Sequence, residues 1–155
     1  MIIALNHKSN LEKDEYQEYL DKFSKIDTKH QLILCPSIIH IAQKHPENAM
    51  LGSQNVSAYN SGAHTGEISP QQLQSYHVQY TIVGHSERRM EQKEDLDSIH
   101  NKMIILQNNH ITPILCVGET KEERAKGKVE EVLKKEIETA TKDLQNDYII
   151  AYEPI

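Results

Sequence analysis

HTGEISPQQLQSYHVQYTIVGHSERR, residues 64–89, ends a short apolar run in a dense polar cluster. Tyr80-Thr81-Ile82-Val83 has the composition of a strand. Gly84, His85, Ser86, Glu87, Arg88 and Arg89 follow it without a spacer. A strand that stops among groups able to move protons and bind anions points into a site. Upstream, Ser69-Pro70 reads as an N-cap with Pro at the first helical position, so a helix precedes the strand.

Similar runs recur on both sides. They are Ile2-Ile3-Ala4-Leu5, Leu32-Ile33-Leu34-Cys35, Met50-Leu51-Gly52, Pro113-Ile114-Leu115-Cys116 and Tyr148-Ile149-Ile150-Ala151. They begin roughly 20 to 35 residues apart, room for one strand and one helix each. Residues 11–25, 93–109 and 128–145 carry apolar side chains at three- and four-residue steps, as amphipathic helices do. Alternating strands and helices predict a parallel sheet with right-handed crossovers. The strands are continuous apolar runs, which suits a sheet covered on its outer face.

Polar residues cluster just after these strands. Asn6 and Lys8 follow the first, and Gln54 and Asn55 the third. His85 and Glu87 follow the fourth, Glu119 the fifth and Glu153 the sixth. Several strand ends converging on one face is how a (β/α) barrel builds a site. A doubly wound open sheet is the alternative and would concentrate its site at one switch point. Neither a G-x-G-x-x-G nor a P-loop lysine motif occurs.

The chain has 155 residues, a net charge of −6 and 37% hydrophobic residues, with no Trp and one Phe. One domain of residues 1–155 with an aliphatic core is expected. Interleaved charges of both signs argue against nucleic acid as a partner. Cys35 and Cys116 each close an apolar run outside any metal-ligand spacing, so they read as reduced, buried thiols. The apolar N-terminal run is too short for a signal peptide and no long apolar run follows, so a cytoplasmic location without membrane contact is expected.

Glu153, at a strand end beside apolar neighbours and before Pro154, is placed to act as a partly desolvated base. His85 precedes a possible helix start and could stay neutral and donate a hydrogen bond to a carbonyl. Lys8 could hold a phosphate or steady a developing oxyanion. Each has a plainer reading: a solvated loop glutamate, a turn histidine bonded to backbone, a surface lysine. Glu87 could pair with Lys8 or face water. His30, His40, His45, His77, His100 and His110 read as surface residues, and residues 121–128 as a solvated loop and helix face.

Five motifs carry a resemblance. They are Asn6-x-Lys8-x-Asn10, Gly62-Ala63-His64-Thr65-Gly66-Glu67-Ile68-Ser69, Ile82-Val83-Gly84-His85-Ser86-Glu87-Arg88-Arg89, Cys116-Val117-Gly118-Glu119 and Ala151-Tyr152-Glu153-Pro154. In order and spacing the chain resembles the triosephosphate isomerase family along its whole length. The resemblance implies a (β/α)₈ barrel, of which the first six strands are present. It implies interconversion of dihydroxyacetone phosphate and glyceraldehyde 3-phosphate, a step of glycolysis and gluconeogenesis, with no metal or organic cofactor.

Under it Glu153 is the base, His85 the electrophile and proton shuttle, and Lys8 the stabiliser of substrate charge. Asn6 orients the substrate, Glu87 supports the site and Ser86 holds the resting base. Gly62–Ser69 becomes a homodimer loop, with Thr65 at the partner's site and Glu67 paired with Arg88 across the interface. His7, Ser9 and His64 depart from the family's usual types there, His7 replacing an aromatic. A complete barrel takes about 250 residues. The resemblance therefore implies a chain lacking the lid, the last two strands and the phosphate-gripping loops, inactive by itself. A non-catalytic barrel part serving as a partner-bound module is the other expectation.

Overall fold

The computed structural model describes all 155 residues. The elements run β1 (Ile2–Asn6), α1 (Lys13–Phe23), β2 (Gln31–Cys35), a 3-10 turn (Ile38–His40), β3 (Met50–Ser53), α2 (Pro70–Ser75) and β4 (Tyr80–Val83). They continue with α3 (Ser86–Glu91), α4 (Leu96–Asn108), β5 (Thr112–Val117), α5 (Lys121–Ala125), α6 (Val129–Ala140) and β6 (Ile149–Tyr152). Helix starts follow from local chemistry. Ser69 accepts from the Gln72 amide while the Gln72 side chain returns to the Ser69 amide, and Asp95 caps α4 through the Ser98 amide.

All strand pairs are parallel and the spatial order is β1-β2-β3-β4-β5-β6, the same as the chain order. A doubly wound sheet reverses its order at a switch point. This one never does, so the sheet is an arc of a (β/α)₈ barrel. Strands β1 and β6 are each paired on one side only.

The period-two geometry of a strand divides the core into two layers. Leu32 and Leu34 pack outward with Tyr16, Leu20 and Phe23 of α1. Val83, Leu115 and Val117 pack outward with Ile99, Met103 and Leu106, which lie at four- and three-residue steps on α4. The alternate residues Ile33, Cys35, Ile82 and Ile114 point inward and form a separate cluster on the barrel side. Both thiols are free; burial pushes Cys35 up to about 12 and Cys116 up to about 11. No helix is long and apolar enough to cross a membrane.

The helices are shorter than their apolar stripes, because capping and turn residues end them inside the expected ranges 11–25, 93–109 and 128–145. One expectation is corrected outright. His40 is a buried residue, stacked on Tyr16 at 4.6 Å with its Nε2 2.9 Å from the Leu11 carbonyl. His45 and His100 are half-buried and bonded to Tyr16 Oη and the Ala140 carbonyl. The surface reading fails because the segment after β2 folds back onto Tyr16 of α1, covering His40 and His45, and because α6 packs beside His100 of α4.

Candidate functional site

The ends of β1, β3, β4, β5 and β6 deliver polar groups to one rim. Just past β1, Lys8 has a left-handed backbone at φ 52°. That conformation is costly for a residue with a Cβ and is held by its surroundings. Asn6 Oδ1 accepts from the Lys8 amide at 3.0 Å, and Gln54 Nε2 donates to the Lys8 carbonyl at 2.8 Å. The same Gln54 nitrogen donates to the Cys35 carbonyl at 3.0 Å, so β1, β2 and β3 are tied at their ends.

Lys8 Nζ lies 2.6 Å from Glu87 Oε1, both side chains about half exposed. The hydrogen bond with Glu87, then its charge, raises Lys8 above the usual lysine range. The same bond lowers Glu87. In this exposed setting the pair contributes little stability; its effect is to aim the ammonium.

His85 is the N-cap of α3, with Nδ1 accepting from the Glu87 amide at 3.3 Å. A neutral ring that accepts at Nδ1 carries its hydrogen on Nε2. That nitrogen faces Glu153 Oε2 at 3.9 Å. Behind His85, Gly84 has φ 69°, and a Cβ there would meet Ile99 Cδ1 at 2.9 Å. Arg89 braces this corner: Nε donates to the Gly84 carbonyl at 2.8 Å, Nη2 to the Cys116 carbonyl at 3.0 Å, and Nη1 pairs with Glu136. Glu136 also accepts from the Gly118 amide at 2.9 Å, which locks β4, β5 and α6 together.

Glu153 departs from expectation in one respect. Its side chain is 66% exposed, because β6 packs against β5 alone and nothing encloses its far side. Its backbone is nevertheless tightly placed. The Glu153 amide donates to the Val117 carbonyl at 2.9 Å, and a Cβ on Gly118 would lie 1.8 Å from the Glu153 carbonyl oxygen. Gly118→Ala therefore must push the β6 end off β5. The expected loss is about 1–3 kcal/mol, the range for overpacking, checked by urea unfolding; parent-like stability would show that β6 shifts freely.

Beside Glu153, Tyr152 Oη donates to Glu119 Oε1 at 3.2 Å, and Arg124 pairs with the same carboxylate. Burial acts to raise Glu119, but hydrogen bonds from its own amide, Arg124 and Tyr152 outweigh it and hold the carboxyl low. Arg124 thus gives the 121–128 segment, expected to be merely solvated, a tie to the rim.

The remaining expected residues lie around this rim. No hydrogen bond joins Ser86 to Glu153. Thr65 and Glu67 are exposed in the loop before α2, where His64 stacks on Tyr59 at 4.4 Å. Arg88 is taken by Glu94 of its own chain at 2.8 Å. Glu94 also pairs with Lys102, whose Nζ donates to Asn55 Oδ1 at 2.8 Å. Burial lowers Lys102 and Glu94 opposes the shift. Sequence reasoning missed Glu94, Lys102, Arg89 and Glu136. The one signal was Lys102 falling in the apolar stripe of α4, where a lysine needs a buried partner.

A cavity of about 360 Å³ opens beside Lys8, walled by Asn6, Gln54, His85, Glu87 and Arg88 among others; Glu153 stands outside it. The rim thus holds an N–H donor, a carboxylate facing it and an aimed cation. That set can move a proton next to a carbonyl and stabilise the charge that results.

The model of the triosephosphate isomerase family matches residues 1–155. The chain belongs to the triosephosphate isomerase family. It is 35% identical to the triosephosphate isomerase of Colwellia psychrerythraea, covering 99% of this chain and 66% of that protein. The Dictyoglomus turgidum triosephosphate isomerase is also 35% identical, with the same coverage of 99% and 66%. The Buchnera aphidicola triosephosphate isomerase is 36% identical over 91% of this chain and 58% of that protein. The chain spans about two thirds of the length of the curated relatives it matches. The family's barrel accounts for the sequential strand order and for the shared rim of strand ends.

Proposed function

We propose that this chain carries the proton-transfer half of a triosephosphate isomerase site. The observation that supports it is the His85 Nε2 hydrogen facing the Glu153 carboxylate at 3.9 Å, with Lys8 aimed at the same rim by Glu87. Glu153 takes a proton from the carbon next to the substrate carbonyl. The C–H electron pair forms the carbon–carbon double bond of the enediol, and the carbonyl pair moves onto oxygen. His85 donates from Nε2 to that oxygen and exchanges protons between the two oxygens. Glu153 returns its proton to the neighbouring carbon, which completes the aldose–ketose exchange. Lys8 offsets the developing negative charge and the phosphate, and Asn6, which fixes the Lys8 turn, orients the substrate.

Glu87 serves by holding Lys8 and fixing the His85 tautomer. Ser86 is the resting partner of Glu153 when that side chain swings back. The loop bearing Thr65 and Glu67 serves a homodimer, Thr65 reaching the edge of the partner's site. Arg88, already paired with Glu94, would share its guanidinium with the partner's Glu67. The protein works in the cytoplasm, in glycolysis and gluconeogenesis, without a cofactor.

The reading is tested by assaying triose phosphate interconversion for the 155-residue chain and for the chain extended to the next in-frame stop. Activity in either that Glu153→Ala removes supports it. Absence from both leaves the non-catalytic, partner-bound module as the better account.

A further inference from the structure

We propose that His7 is a proton-sensitive positioning residue: its neutral ring, seated without hydrogen bonds against Tyr16 and Tyr19, holds the turn that presents Lys8, and protonation unseats it.

Both His7 ring nitrogens are covered and have no hydrogen-bond partner. The ring meets Tyr19 edge to face at 4.6 Å and Tyr16 at 5.7 Å. It is filling space as an aromatic wedge while keeping a titratable group. A neutral ring leaves one donor and one acceptor unmet. An imidazolium leaves two donors unmet and adds a charge with no counterion, so the seat favours the neutral form.

The groups facing the ring are Tyr16 and Tyr19 from α1, His40 from the 3-10 turn and His45 from the loop before β3. None is a carboxylate. His40 cannot turn away to relieve the crowding, since its ring is bonded to the Leu11 carbonyl and Gln43 at 2.9 and 3.0 Å. Burial, then the charge of His40, holds His7 below the usual histidine value of 6.5. Burial also lowers His45; a backbone hydrogen bond with Gln43 opposes the shift and the charge of His7 adds to it.

The backbone carries the effect to Lys8. The His7 amide donates to the Cys35 carbonyl at 3.1 Å. Its carbonyl accepts from the Asn10 amide at 3.1 Å and from Asn10 Nδ2 at 3.2 Å. The next residue is Lys8, held at φ 52°. Loosening the wedge frees a strained turn to relax.

The direction with pH follows from linkage. The open or unfolded turn binds its proton near pH 6.5, before the seated ring does. Stability from the seat is therefore full above that value and falls as pH drops through it toward the lower, seated value.

The test is amide hydrogen exchange of Lys8 and Asn10 in the 155-residue chain, followed by NMR between about pH 7.5 and 5.5 and corrected for intrinsic rates. Protection is expected to fall several-fold, up to about tenfold, in the parent and to stay level in His7→Phe, a ring that cannot titrate. His7→Leu serves the same purpose if the phenyl ring does not seat. His45→Gln, which can keep the bond to Tyr16, is expected to retain the fall. A fall that persists in both His7 variants overturns the proposal. So does a His7 ring titrating above the ordinary value, which would mean that the tyrosine faces stabilise the cation.

The link from the turn to substrate rests on the isomerase reading. There, KM should rise more steeply toward low pH in the parent than in His7→Phe. Absence of isomerase activity at every pH would sink that reading and leave the exchange result to decide this one.

Discussion

Glu153→Gln is expected to lower kcat about 10²–10⁴-fold, the usual contribution of a positioned general base, with a much smaller change in KM. The amide keeps the size of the carboxylate and its reach toward His85 Nε2, so orientation survives while proton abstraction does not. The assay is steady-state kinetics in the form of the chain that shows isomerase activity, with solvent-deuterium incorporation into the triose phosphate as a second readout. Turnover above a tenth of the parent would assign the base elsewhere. The exposure of Glu153 sharpens this experiment. A side chain that is 66% exposed and bonded to nothing but the approach of His85 contributes little to folding, so the variant should unfold at the parent's urea midpoint.

Glu94→Ala is expected to be the most damaging substitution to stability. Glu94 and Lys102 are 4% and 5% exposed, and the carboxylate is also the partner of Arg88. Removing it leaves the Lys102 ammonium buried with only Asn55 as acceptor. Breaking one side of such a pair costs about 3–5 kcal/mol, read as a drop in the urea midpoint. The pair itself need not be net stabilising. Glu94→Leu combined with Lys102→Met removes both charges and is expected to recover most of the loss, since the two sites are directly coupled. A double variant as unstable as Glu94→Ala would show that the packing of α4, and not the unpaired charge, is responsible. The network joins α3, α4 and the β3 end, so its loss should also loosen the corner that presents His85.

Much of this site was legible because its residues fall at strand ends. Asn6, Lys8, His85, Glu87 and Glu153 each follow a short apolar run, and a parallel arc must bring such ends to one rim. The braces were hidden for the opposite reason. Arg89 and Glu136 lie 47 residues apart, as do Lys102 and Asn55, and no local pattern pairs them. His40 read as a surface residue because its enclosure comes from Tyr16 and the Leu11 carbonyl, neither adjacent in sequence.

By itself the sequence determined the alternation of strands and helices, their approximate limits and which residues stand at the strand ends. These follow from period and capping chemistry, which act over a few residues. Only the tertiary structure decided the unbroken strand order that makes the sheet a barrel arc, the tautomer of His85, the exposure of Glu153 and the unbonded seat of His7. Each depends on which segments pack side by side, and that is settled by burial and hydrogen bonding between residues far apart in the chain.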